Sequence, residues 1–93
     1  MATVIATAKV KDGAKWEQGF RTHAELFREQ TIHKPIHFSV SDDNEITILF
    51  EPDDLEKYLE LLDSSATYEA MAYDGVDEDT IKIVVLDKDF DPH

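Results

Sequence analysis

The sequence predicts an α+β fold in which two helices cover one face of a four-stranded antiparallel sheet, in the chain order β-α-β-β-α-β. Three observations carry this. Four segments alternate apolar and polar residues with the period of two that a strand imposes; two others repeat apolar residues at helical spacing; Gly, Pro, Asp and Ser mark the boundaries. The length, 93 residues with 42% hydrophobic and 32% charged, suits one compact domain spanning residues 1–93 and leaves no room for a second.

Residues 2–10 open the chain as a strand rich in β-branched types, with Val4, Ala6, Ala8 and Val10 on one face and Thr3, Ile5, Thr7 and Lys9 on the other. Asp12 can cap the segment that follows, and Trp16, Phe20, His23 and Phe27 recur at i, i+4, i+7 and i+11, the stripe of one helix over about 14–30. Pro35 excludes helix at the residue before it, and Ile36, Phe38 and Val40 then alternate with His37, Ser39 and Ser41 as a second strand. The turn composition Ser41-Asp42-Asp43-Asn44 leads into a third strand through Ile46, Ile48 and Phe50, so the two form a hairpin. After Pro52, Asp53 or Asp54 caps a helix carrying Leu55, Leu59 and Leu62. Ser64 or Ser65 re-caps a shorter piece holding Tyr68, Met71 and Ala72, which Gly75 ends, so this second helix is expected to break in the middle. The apolar run 81–86 is the fourth strand, followed by the polar tail 87–93.

This split βαβ order, the ferredoxin-like arrangement, puts both helices on the face carrying Val4, Ala6, Ala8, Val10 and their counterparts. The other face would hold Ile5, Thr7, His37, Ser39, Thr47, Leu49, Val84 and Leu86. That set is too apolar for water. Paired with a copy of itself it could bury several hundred Å2, worth roughly 5–10 kcal/mol at about 25 cal/mol per Å2 before association costs. A homodimer through the open sheet face is expected.

Twenty-one acids against nine bases give a net charge of −12. Six bases and four acids in residues 1–41 make +2, and three bases and seventeen acids in residues 42–93 make −14. Such a surface repels phosphate backbones and anionic membranes, so no nucleic-acid or membrane partner is expected. No apolar run approaches the roughly 18 residues of a membrane span, and the apolar start meets Lys9 too early for a signal peptide. The absence of cysteine excludes thiolate nucleophiles and Cys-ligated metal, and fits a cytoplasmic location.

Asp12, Trp16-x3-Phe20-x2-His23, the Asp42-Asp43-Asn44-Glu45 turn, Asp54-Leu55-Glu56 and Met71-x3-Gly75-Val76 together resemble the dimeric α+β barrel superfamily, in the branch of small antibiotic-biosynthesis-monooxygenase-like and cyclase-like proteins. The resemblance spans nearly the whole chain in element order. It implies a homodimer whose two sheets pack into a barrel, with a small-molecule pocket between sheet and helices in each protomer. Some relatives oxidise polycyclic phenols without metal or flavin, some isomerise or cyclise, and some bind or degrade haem. The haem-degrading branch uses an Asn on the first strand, whereas the only Asn here is Asn44 in a turn.

The chemistry concentrates on one helical face. His23 shares it with Trp16, Phe20 and Phe27, opposite the small Ala6 and Ala8. An apolar cleft with one group that titrates near neutrality is what a general base requires, and a core-edge histidine bonded to a carbonyl would look the same in sequence. His23 is therefore the candidate catalytic residue, and Trp16, Phe20, Phe27, Tyr68 and Met71 the candidate substrate-binding set, for an apolar or aromatic, polyketide-like ligand. His33-x3-His37 cannot share an ion, because Pro35 forbids helix and an extended chain separates them by about 13 Å. The run 74–79, Asp-Gly-Val-Asp-Glu-Asp, lacks calcium-loop order and reads as a solvated cap and turn. With neither a histidine pair nor a calcium loop no metal is expected, and the lack of a glycine-rich phosphate loop disfavours a nucleotide cofactor, so no cofactor is expected; no nucleophile elbow is present either. Two readings stay open: a non-catalytic ligand-binding or accessory dimer, and a cofactor-independent monooxygenase- or cyclase-like enzyme.

Overall fold

A computed structural model describes residues 2–92. Its elements are β1 (Thr3–Val10), α1 (Gly13–Phe20), α2 (Ala24–Glu29), β2 (His37–Val40), β3 (Glu45–Phe50), α3 (Leu55–Leu62), α4 (Ser65–Tyr73) and β4 (Val76–Leu86). The sheet order is β2-β3-β1-β4, every pairing antiparallel. Val4 stands opposite Phe50 and Val85, Ala6 opposite Ile48 and Ile83, and Val40 opposite Ile46. The period-two pattern therefore stacks apolar residues from all four strands on one face, against the helices.

Two touching clusters fill that layer. One joins Ala8, Val10, Trp16, Phe20 and Ile46; the other joins Val4, Ile32, Phe50 and Tyr58; Phe27, Ile36 and Ile48 pack on both. The Trp16 and Phe20 rings stack with centroids 4.7 Å apart, and Phe38 meets Trp16 edge-on at 5.7 Å.

The first helical stretch is not continuous over 14–30. It stops at Phe20 and restarts at Ala24, because Thr22 turns back on the chain: its backbone N–H and its hydroxyl both donate to the Gly19 carbonyl, the hydroxyl at 2.6 Å. A threonine that bonds its own preceding turn competes with helix continuation. The expected break in the second helical stretch falls at Asp63–Ser64, where Ser64 caps α4 by accepting from the Thr67 N–H. Asp12 and Asp54 cap α1 and α3 in the same way. Gly13 N–H, which Asp12 does not reach, is bound by Asn44 Oδ1 at 3.0 Å, with Asn44 itself held at φ 62° in the β2–β3 turn.

The fourth strand starts at Val76, five residues earlier than its apolar run. The early part pairs with β1 across an irregularity between Thr7 and Lys9, where Thr80 Oγ1 takes the Lys9 N–H at 2.8 Å. Acidic Asp77, Glu78 and Asp79 are exposed there, which hides the strand from hydropathy.

Candidate functional site

Large aromatics from α1 and α2 face small residues on β1, and the mismatch leaves a cavity of about 110 Å3 between sheet and helices. Ala6 and Ala8 form part of its floor, Trp16, Phe20 and Phe27 one wall, and Ala70 and Met71 of α4 another. An apolar cavity of about 150 Å3 is enough for benzene, so this smaller space limits a ligand to at most a single ring and is too small for a fused polycycle. Polar side chains enter the lining at His23, Asp74, Gln30 and Thr67, beside Thr7 and Tyr58.

His23 and Asp74 meet across it, Nε2 to Oδ2 at 2.9 Å. The histidine side chain is 21% exposed and the aspartate 5%. Each sits where local preference alone would not put it. Asp74 is the C-cap of α4, the end at which the helix dipole disfavours a carboxylate, and His23 is the N-cap of α2 yet makes no capping bond. Gly75, at φ 77°, turns the chain away directly after Asp74. The carboxylate fits only because Gly19 lacks a side chain: a Cβ there would lie 2.0 Å from Oδ1 and 2.8 Å from Cγ. Oδ1 is buried with no hydrogen-bond partner among the described residues. With Nε2–H donated to Oδ2, the carboxylate fixes the ring and its tautomer, and Nδ1 is left to take a proton. The imidazolium that forms is stabilised by the same carboxylate.

A second polar pair lies farther along. Gln30, at the C-terminal end of α2, donates from Nε2 to Thr67 Oγ1 at 3.0 Å, and Thr67 donates in turn to the Leu61 carbonyl at 2.7 Å. Both residues are buried. Tyr58 is buried too, with its ring 4.9 Å from Phe50, and burial pushes its phenol well above the ordinary tyrosine range.

Five of the six site residues expected from sequence, His23, Trp16, Phe20, Phe27 and Met71, border this one cavity. Tyr68 does not. The inner stripe of α4 is Thr67, Ala70, Met71 and Asp74, spaced i, i+3, i+4 and i+7, and Tyr68 lies about 100° off it. Its side chain is exposed and its phenol donates to Asp63 Oδ1 at 2.7 Å. Asp74 is likewise corrected, since it is a buried partner of His23 and not part of a solvated turn. Gln30 and Thr67 carry no signal in an apolar pattern, and Asp74 reads from sequence as a solvated cap. Extending the Trp16–Phe27 stripe by one step reaches Gln30, whereas Thr67 and Asp74 share a face with Met71 that nothing local turns inward. His33 and His37 stand apart from the cavity: His33 Nδ1 contacts Asp53 Oδ2 at 2.6 Å, and His37 is exposed on β2 opposite Leu49. Among the described residues no group of three or more His, Asp or Glu is placed to hold a metal ion, and no helix is long and apolar enough to cross a membrane.

Comparison with known proteins gives the fold a clear set of structural neighbours. No protein-family model matches the chain, and no curated protein matches it in sequence. Among solved structures, an antibiotic biosynthesis monooxygenase, so described, from Bordetella bronchiseptica superposes with a TM-score of 0.72 at 18% identity, covering 96% of this chain and 97% of that one. SnoaB, a cofactor-independent oxygenase from Streptomyces nogalater, superposes at 0.71 with 14% identity, covering 98% and 95%. A similarly described protein from Deinococcus radiodurans gives 0.68 at 16% identity over 100% and 97%. The chain therefore has the ferredoxin-like α+β fold of these antibiotic-biosynthesis-monooxygenase-like proteins.

Proposed function

We propose that the chain binds a small, single-ring aromatic or enolisable molecule in the cavity between sheet and helices, and that the His23–Asp74 pair takes a proton from it. The carrying observation is the 2.9 Å contact between Nε2 and a buried carboxylate in the wall of a mainly apolar cavity. A base oriented by a buried carboxylate at the edge of an apolar cavity is suited to ionising a phenol or an acidic carbon near neutral pH. The phenol proton goes to Nδ1, leaving a phenolate beside an imidazolium, with Asp74 compensating the new positive charge. The fold that the chain shares with a cofactor-independent oxygenase supports this reading, because an ionised, electron-rich ring is a starting point for chemistry that needs no cofactor. In the binding-only alternative, favoured by the small number of polar groups in the lining, the same pair recognises the acidic group without turnover.

Binding of 4-nitrophenol tests the reading, since its phenolate has its own visible absorbance. The wild type should raise the phenolate fraction below the free ligand's titration range, and His23→Phe should bind the ligand without doing so. Ligand bound with no gain in phenolate would refute proton transfer. Quenching of Trp16, the sole tryptophan and a wall of the cavity, follows occupancy separately.

We further propose that the working unit is a homodimer in the cytoplasm, formed through the open sheet face. The pairing registers align His37, Leu49, Ile5 and Val84 in one row across the four strands, with Leu86 at the end of β4, and Val84 and Leu86 are about half exposed. Phe90, 87% exposed in the acidic tail, is expected to dock on the partner. Leu49→Arg or Val84→Asp should split the dimer by placing an unpaired charge at its centre. A monomeric wild type in light scattering at tens of micromolar would overturn the assignment.

A further inference from the structure

We infer that Gln30 is a second ligand anchor, and that the cavity selects rings carrying two polar groups at opposite ends, an acidic hydroxyl for His23 and a hydrogen-bonding group for Gln30. The inference rests on the ligand-binding reading above and narrows its substrate class. Gln30 is 3% exposed and lines the cavity. The bond to Thr67 uses one N–H of its amide, so the amide oxygen and the second N–H have no protein partner among the described residues. A buried amide held in place by one bond, with its remaining capacity unused, is poised for a polar group that a ligand supplies.

The spacing sets the ligand's shape. His23 and Gln30 flank α2 at its two ends, seven residues apart, with Phe27 between them in the same wall. Their side chains are tied to Asp74 and Thr67, which lie seven residues apart on one face of α4, about 10 Å along its axis. A benzene ring with para oxygens presents them roughly 5.5 Å apart, and one hydrogen bond of about 2.8 Å at each end brings the span to about 11 Å. Meta and ortho isomers are shorter. The cavity, at about 110 Å3, is no larger than one ring requires, which sets the upper size of the same class.

Benzene-1,4-diol and 4-methylphenol test this directly, because a hydroxyl replaces a methyl of similar size. By calorimetry the wild type should bind the 1,4-diol about tenfold more tightly than 4-methylphenol, and more tightly than the 1,2-diol. Gln30→Leu should erase that preference while keeping affinity for 4-methylphenol. If Gln30→Leu does not fold, Thr67→Val, which frees the amide from its one restraint, should still reduce the preference severalfold. Equal affinity for the two ligands in the wild type, or a preference that survives in the folded variant, would overturn the role of Gln30 while leaving the His23 reading intact. Failure of both ligands to bind would overturn both.

Discussion

Two histidine–aspartate pairs of identical chemistry stand in different surroundings in this molecule. His33 and Asp53 meet at 2.6 Å on the surface, their side chains 56% and 50% exposed, while His23 and Asp74 meet at 2.9 Å with 21% and 5% exposed. The shorter contact is the weaker one energetically. Water solvates either exposed partner alone, so their contact adds little. Asp74 has left water, and among the described residues one of its oxygens has no hydrogen-bond partner while His23 is the one side chain bonded to the other. Contact length thus says less about a pair than what each member would face without the other.

That comparison can be broken or sharpened by substitution. The largest effect is expected from His23→Ala, which strands the Asp74 carboxylate in the interior and should cost about 2–4 kcal/mol in urea unfolding, cavity included. Gly19→Ala should act on the same pair through sterics. Alanine ordinarily gains up to about 1 kcal/mol over glycine inside a helix, but here its Cβ would overlap Asp74 Oδ1, so the sign reverses and about 1–3 kcal/mol should be lost. In an Asp74→Ala background the same change should stabilise. Additive losses in that double-mutant cycle would show that the two residues are not coupled.

Two tyrosines repeat the contrast at alkaline pH. Burial raises the phenol of Tyr58; for exposed Tyr68 the hydrogen bond to Asp63 raises it, followed by the charge of that carboxylate. In both cases the folded-state value exceeds the unfolded one. Their contribution to stability is therefore complete below about pH 10, where an unfolded tyrosine begins to ionise, and is lost as pH rises toward the folded-state values. Tyr58→Phe should remove most of the alkaline slope of the unfolding free energy and Tyr68→Phe little of it. Equal slopes in the two variants would refute a burial origin. The smallest effect is expected for Asp53→Ala, below about 0.5 kcal/mol in the same unfolding assay and smaller still at high salt.

How far the site could be read from sequence follows from which residues obey a local rule. His23 was legible because it falls on the stripe of Trp16, Phe20 and Phe27. Asp74 was not, since it lies 51 residues from His23 and has the composition of a cap before a glycine. Tyr68 reads from sequence as a polar group beside the expected pocket, yet one residue's rotation about α4 separates it from the Thr67–Asp74 stripe. Gln30 and Thr67 are polar residues near helix ends, and sequence assigns such positions to solvent until a tertiary partner is known.

Element order, strand faces and caps are dictated by the sequence alone, because periods of two and 3.6 and the needs of unpaired N–H groups act within a few residues. The apolar sheet set expected from that pattern, Val4 through Val85, is the set that packs under the helices. Only the tertiary structure decided the early start of β4, the volume left over Ala6 and Ala8, and the meeting of His23 with Asp74 beneath Gly19. Each depends on how separate elements settle against one another, and packing at that range is fixed by shapes that no local pattern encodes.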